Sequence, residues 1–428
     1  MVETVVILAG GEGSRLRPFT NNIPKALVKV AGRELLYRII KQLEDLGVKR
    51  FVIVINEKFK GSIENFLKEH GFYGEIIYNP HPEKENGYSL YLAKEKVKGR
   101  FGVVMSDHIY EKAFLEKALK GKGLIVDKVG LYIDIDEATK VKCRDGKIKD
   151  IGKDLKEYEG FDTGFFILEE SIFDVAEKIL KEKEVLTMSE LAKRAGIPCT
   201  EVSGYFWMDV DTPEDIEKAK KLLVKTAIKV AGDGFISRNL NRKVSTRISP
   251  YLVDKFTPNQ VTVFTFLLGM LSVVVAFFSP ALGGILLQIS STLDGLDGEI
   301  ARAQMRTTKF GAWLDSVLDR YVDFAFLSAL AFYIKPSWGF MPWVFLALFG
   351  TIMVSYSTER YKGAYCEDAY VVIKELRYLL GKRDERIFLI MIFTLFGWIK
   401  ALFILLAIIT NIRVILTIYL VWKRKRNE

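Results

Sequence analysis

The chain has 428 residues, half of them apolar and 27% charged, with a net charge of +9, which leaves room for two or three domains and points to a soluble part joined to a membrane part. The basic residues cluster beside apolar runs, as in "ISRNLNRKVSTR" and the terminal "WKRKRNE", a placement that suits cytoplasmic membrane flanks and argues against nucleic-acid binding. Cys143, Cys199 and Cys366 are scattered without a CxxC pair, so neither a disulfide framework nor a thiolate metal site is expected.

The opening "MVETVVILAGGEGSR" lacks the pattern of a signal peptide, and the N-terminus is predicted to stay in the cytoplasm. Thr4 to Leu8 reads as a buried strand that runs into a glycine-rich turn. Gly10, Gly11 and Gly13 have no side chains to hold phosphates off, so backbone N–H groups can point at an anion. Arg15 and Lys25 add positive charge, the latter expected as an exposed loop cation. "KALVKVAGRELLYRIIKQLEDLG" has the periodicity of an amphipathic helix, "RFVIVI" that of the next strand, and the alternation continues through "FGVVMSD". This is a doubly wound, Rossmann-like α/β pattern. Ligands in such sheets sit at the carboxyl ends of strands, where the "LAGG" loop and Asp107 both fall.

"LAGGEGSRLRPFTNNIPKALVKVAGRELL", with "ENGYSLYLA", "MSDH" and "WMDVDTPEDI", resembles the nucleotidyltransferases that make nucleoside-diphosphate sugars and CDP-alcohols. The resemblance implies that Leu8, Ala9, Gly10, Gly11, Gly13 and Arg15 hold the triphosphate and that Lys25 stabilises charge at the α-phosphate. Asn86, Gly87 and Ser89 would sit near the base. Asp107 and an aspartate of "DVD" would hold Mg²⁺ or Mn²⁺, because Mg²⁺ takes one or two carboxylates plus phosphate oxygens. Both Asp209 and Asp211 are candidates. Position relative to Trp207 favours Asp209, and Thr212 or Asp211 also reads as a helix cap before Pro213.

Three regions follow in chain order: a cytoplasmic domain over 1–225, an amphipathic juxtamembrane helix over 226–258, and a membrane domain over 259–428. Pro258 suits a first helical position. Six apolar spans are predicted at about 260–279, 281–303, 309–334, 340–358, 386–398 and 400–422. Lys and Arg concentrate in the loops that would face the cytoplasm, so the expectation is a multi-pass protein of the cell membrane with the N-terminal domain and the C-terminus inside.

Within this apolar region stand four aspartates. A charge at mid-bilayer costs roughly 2.5–3.5 kcal/mol on insertion scales, so something must offset all four. Asp294 and Asp297 share a helix face, as do Asp315 and Asp319. Two such pairs facing across a hairpin form a cage for hard divalent cations. The spacing D-x-x-D-G-x-x-A-R, eight residues, then G-x-x-x-D-x-x-x-D resembles that of the CDP-alcohol phosphotransferases. The resemblance implies that Asp294, Asp297 and Asp315 hold one or two Mg²⁺ or Mn²⁺ ions on the CDP diphosphate, with Asp319 counted both as a ligand and as the base that takes the acceptor's proton. Gly298 and Gly311 would let the nucleotide approach, and Arg302 would steady the motif or the phosphates. Arg360, Lys362 and Arg413 are candidate anchors for a substrate phosphate, since cations at a membrane-embedded site pair with ligand anions.

The two halves together resemble the fused inositol-phosphate cytidylyltransferases and phosphodiester synthases of heat-loving archaea and bacteria, and few Cys and Gln beside much Lys and Glu fits heat adaptation. The fusion implies CTP and inositol-1-phosphate as substrates, CDP-inositol as intermediate, and a homodimer formed through the membrane domain. The other reading is a phospholipid synthase with a membrane lipid or polar alcohol as acceptor, because the aspartate motif serves both chemistries.

Overall fold

The computed structural model describes residues 2–228 and 233–427. The chain divides into two units, Met1–Ala219 and Lys220–Glu428.

The strands of the first unit are β1 (Thr4–Ala9), β2 (Lys29–Val30), β3 (Arg33–Glu34), β4 (Arg50–Asn56), β5 (Glu75–Asn79), β6 (Arg100–Met105), β7 (His108–Tyr110), β8 (Gly123–Asp127), β9 (Lys140–Arg144), β10 (Lys147–Gly152), β11 (Gly160–Glu169), β12 (Cys199–Glu201) and β13 (Trp207–Asp209). Its helices are α1 (Leu35–Asp45), α2 (Lys60–His70), α3 (Glu85–Tyr91), α4 (Lys112–Ala118), α5 (Ile172–Glu182) and α6 (Met188–Ala195), and α7 (Pro213–Thr226) leads onward. Among the described residues nine strands form one sheet, ordered β10-β9-β11-β6-β1-β4-β5, with β8 beside β11 and β12 beside β8. β6, β1, β4 and β5 run parallel and β11 antiparallel to β6, giving a Rossmann-like domain with a mixed sheet. Val5 and Ile7 belong to one core cluster, Val6 and Leu8 to another. Both faces of β1 are therefore covered, which is why it reads as an unbroken apolar run.

Two expectations are corrected here. The helix expected from Lys25 is confined to α1, because Ala31 (φ 49°) and Gly32 (φ 70°) turn the preceding segment into the β2–β3 hairpin. Such a pair of left-handed residues makes a two-residue hairpin turn and stops a helix from extending upstream. Cys143 and Cys199, 56 residues apart, form a disulfide between β9 and β12. Only the sheet brings them together, so no local spacing announces the bond.

In the second unit, the long helix expected over 226–258 is replaced by a wide helical turn at Ser237–Asn241 and by α8 (Arg242–Leu252); residues 229–232 of that expectation lie outside the described residues. Then come α9 (Pro258–Phe278), α10 (Pro280–Ala303), α11 (Lys309–Ile334), α12 (Met341–Tyr365), α13 (Ala369–Val372), α14 (Arg383–Leu395) and α15 (Ile399–Asn427). Pro258 is the first residue of α9, and Thr257 and Gln260 close a reciprocal cap on it. Three helices among the described residues are long and apolar enough to cross a membrane: Pro258–Phe278, Met341–Tyr365 and Ile399–Arg426. The other three predicted spans are helical but fall short for different reasons. α14 has 13 residues, about 20 Å at 1.5 Å per residue against roughly 30 Å of hydrocarbon. α10 and α11 are long enough but carry the motif's charges. Close packing between these helices depends on missing side chains. A Cβ on Gly283 would lie 2.7 Å from Ala276 Cα of α9, and one on Gly284 only 2.2 Å from Thr394 Oγ1 of α14.

Candidate active sites

The first site forms where β1, β6 and β13 end. Gly13 has φ 68°, and a Cβ there would stand 3.0 Å from the Cβ of Lys25, so the loop wraps the lysine because residue 13 has no side chain. Lys25 is accordingly buried at 7% exposure, not the exposed loop cation the sequence suggested. Its Nζ donates to Asp107 Oδ2 at 2.7 Å and to Asp211 Oδ1. Arg15 Nη2 reaches Asp211 Oδ2 at 2.6 Å. Asp211 is thus the aspartate of "DVD" that touches both cations. Asp209 lines the same cavity of about 820 Å³, paired across the β13–β7 ladder with His108. Asp211 is free for this because Thr212 caps α7: its Oγ1 accepts from Asp215 N–H at 3.3 Å, and Asp215 Oδ2 accepts from the N–H groups of Asp211 and Thr212 at 3.0 and 2.8 Å.

Charge balance keeps these groups ionised. Burial pushes the Lys25 ammonium down, but Asp107 and Asp211 outweigh it and the net shift is upward. Burial pushes the Asp107 carboxyl up, yet Lys25 and His108 hold it well below the usual carboxylate range. Asp162 behaves oppositely. Burial raises it to about 6, against a hydrogen bond from Gly164 N–H and the nearby His108. Its side chain lines the cavity beside Trp207, as do Lys153 and Lys218; the sequence reading singled out neither Asp162 nor these two lysines.

The remaining expected residues of this unit divide into lining and supporting positions. Gly11, Gly13, Arg15 and Asn86 line the cavity. Leu8 and Ala9 are buried in β1. Gly87 packs so closely on the segment ahead of α6 that a Cβ would lie 2.7 Å from the carbonyl oxygen of Leu186. Asn86 Oδ1 accepts from Met188 N–H at 2.9 Å, and Ser89 Oγ accepts from Asn79 Nδ2 at 2.9 Å. A Cβ on Gly10 would be 3.9 Å from that hydroxyl, so the "NGYS" segment backs the glycine loop.

The second site lies on α10, α11 and α14, around a cavity of about 990 Å³. Asp294, Asp315 and Asp319 each offer a carboxylate oxygen, all within 4.8 Å of one another. Three oxygen donors this close suit a hard divalent cation. Asp297 stands apart from this group: its Oδ2 accepts from Thr262 Oγ1 of α9 at 2.6 Å, and its Oδ1 accepts from Gly298 N–H. Arg383, which the sequence reading passed over, reaches Asp294 at 3.0 Å, Asp319 at 2.8 Å and Asp323 at 3.1 Å. Arg386 and Arg320 also face Asp323, at 3.4 and 3.7 Å. The available signal was the charge cluster "KRDER" opening an apolar segment, with arginines three apart on one helix face.

Arg413 is committed elsewhere. Its guanidinium donates to the carbonyls of Leu379, Leu380 and Leu376 and to the hydroxyl of Tyr370. It ties down the 374–382 segment ahead of Arg383 and does not line the cavity. Lys362 does line it, whereas Arg360 is exposed and does not. Arg302 donates from Nε to the carbonyl of Ala227. Gly298 and Gly311 lie off the cavity lining; the N–H of Gly311 donates to Thr308 Oγ1 in the cap of α11.

Residues 4–123 match the nucleotidyl transferase family and residues 255–420 the CDP-alcohol phosphatidyltransferase family. Along its whole length the chain is similar to the "Bifunctional IPC transferase and DIPP synthase" of Aquifex aeolicus, 81% identical over 427 residues and 100% of both chains. The Thermococcus kodakarensis protein of the same name is 53% identical over 99% of this chain and 98% of its own. The chain belongs to the family of bifunctional IPC transferases and DIPP synthases. As a member it is a transferase with both a nucleotidyltransferase and a CDP-alcohol phosphotransferase activity. A solved structure, the inositol-1-phosphate CTP transferase from T. maritima, matches 50% of this chain and 91% of its own at 27% identity, with a TM-score of 0.47.

Proposed function

We propose that the first unit joins CTP to inositol-1-phosphate, giving CDP-inositol and diphosphate, and that the second joins CDP-inositol to another inositol-1-phosphate, giving di-myo-inositol phosphate phosphate and CMP. The observation that carries this reading is the full-length likeness to relatives named for both steps, in a chain where each unit sets carboxylates against cations within 3 Å.

In the first unit the glycine loop and Arg15 hold the triphosphate, and Lys25 faces the phosphorus that is attacked. Asp107 with Asp209 or Asp211 would hold Mg²⁺ or Mn²⁺. In the second unit Asp294 and Asp315 would hold the same kind of ion, with Asp297, bonded to Thr262, fixing α10 beside them, while Asp319 takes the proton from the acceptor hydroxyl. In both sites the ion, when bound, neutralises charge on the nucleotide's phosphates. Asp319 is ion-paired with Arg383 at 2.8 Å, which fixes where its carboxylate stands. Lys362, lining the cavity, serves the acceptor's phosphate. The six predicted spans of the second unit, α9 to α12, α14 and α15, lie in the bilayer, with the first unit and the C-terminus in the cytoplasm, α8 along the headgroups, and two copies paired through the membrane helices.

The test is incubation of purified protein with labelled CTP and inositol-1-phosphate, with products partitioned between water and solvent. Water-soluble CDP-inositol followed by a phosphorylated di-inositol product supports the proposal. Label that moves into solvent only when lipid is added would show a lipid acceptor instead.

A further inference from the structure

α8 is joined to α10 by polar side chains. Glu299, on α10, has no exposed surface. Its Oε1 accepts from Ser245 Oγ at 2.6 Å and from Arg242 Nη1 at 2.9 Å, and its Oε2 accepts from Ser249 Oγ at 2.6 Å. Arg242 in turn forks onto Asp233 at 2.9 and 3.1 Å. A Cβ on Gly295 would come within 2.7 Å of Arg242 Nη1, so the guanidinium lies against α10 where that helix has no side chain. The seam continues both ways. Asn241 Oδ1 accepts from Gln288 Nε2 and Thr292 Oγ1, each at 3.2 Å. Gln304 Nε2 donates to the carbonyls of Val253 and Phe256 at 2.6 and 2.9 Å.

Asp294 and Asp297 lie inside this stretch of α10. At about 100° per residue, Glu299 is roughly 200° around from Asp297, on the other side of the helix. Asp297 is bonded to Thr262 of α9, so α10 is gripped from two sides, by α9 through Asp297 and by α8 through Glu299. Apolar contacts permit small rotations of a helix, whereas three donors converging on one buried carboxylate define a single rotation and register. We propose that Glu299 is a positioning residue: through Arg242, Ser245 and Ser249 it uses α8 to set the rotation of α10 that presents Asp294 and Asp297 to the CDP-alcohol site. This rests on the reading of that site given above.

The experiment uses the full-length protein in detergent and measures Mn²⁺ binding by paramagnetic resonance in an Asp107→Ala background, which silences the first unit's metal site. CMP release from supplied CDP-inositol and cytidylyl transfer are measured without that background change. Glu299→Gln should weaken Mn²⁺ binding at least about tenfold, the usual consequence of losing a partner that orients metal ligands. It should also raise the Mg²⁺ needed for half-maximal CMP release by a similar factor and leave cytidylyl transfer unchanged. If Glu299→Gln does not fold, Ser245→Ala/Ser249→Ala removes two of the three donors with little change of volume and should shift both readouts in the same direction. Wild-type Mn²⁺ affinity in a folded variant overturns the proposal. Intact protein that binds Mn²⁺ yet releases no CMP from CDP-inositol overturns the reading of the site instead.

Discussion

The two units solve one electrostatic problem with different materials. In the first, a glycine loop at the end of β1 leaves backbone exposed to the cavity, and Lys25 and Arg15 stand among the aspartates beside it. The glycine loop lies within one short stretch of chain, so its geometry is mostly local. In the second, there is no loop at a strand end to lend N–H groups. Helices satisfy most of their own backbone, so Asp294, Asp319 and Asp323 are met by other side chains, those of Arg383, Arg386 and Arg320. Those partners lie up to 89 residues away in sequence. A backbone-built site is legible as a motif, whereas a side-chain-built site shows only half of itself in one.

The contrast is broken most severely by removing the metal-facing carboxylate of one unit and asking whether the other survives. Asp107→Ala should abolish CDP-inositol formation and leave CMP release from supplied CDP-inositol within about twofold. Loss of both in a folded protein would mean that the sites are not separate. Asp319→Asn reverses the experiment. CMP release should fall on the order of 10²–10⁴-fold, the usual worth of a positioned base, while CDP-inositol accumulates. If added Mg²⁺ restores turnover, Asp319 is a metal ligand and not the base.

Lys25→Met should slow diphosphate release by about 10²–10³-fold, comparable to losing one charge-stabilising donor. It should also lower the stability of the first unit, because Asp107 and Asp211 lose the cation between them. Normal stability with normal turnover would remove Lys25 from the site. The smallest effect concerns Asp162, whose carboxyl is raised by burial to about 6 from an ordinary value near 4. The folded state holds this proton more tightly than the unfolded one, so stability is lost as pH rises from about 4 to 6, and the cost is complete above that. Asp162→Asn should flatten this slope and stabilise the first unit near neutral pH by roughly 1–3 kcal/mol. Melting curves in EDTA between pH 4 and 7 would show it, and parallel curves for both proteins would refute it.

What the sequence determined is what local spacing determines. Alternating apolar strands and amphipathic helices announced the Rossmann-like sheet, because a strand covered on both faces must be apolar throughout. Helices occupy the predicted apolar segments, because length and composition set where a chain can bury backbone. The aspartate motif was visible because three- and four-residue spacings put carboxylates on one helix face. The tertiary structure decided which charges meet. Asp211 was separated from Asp209 only when Thr212 took the cap and left Asp211 to Arg15 and Lys25. Arg413 became a staple on the 374–382 backbone, and Arg383, with no motif of its own, came to stand among the aspartates. Cys143 and Cys199 met because β9 and β12 are brought close in one sheet. Coulomb energy and hydrogen bonding act over a few ångströms of space, and distance along the chain fixes such proximity only within a turn or a strand pair.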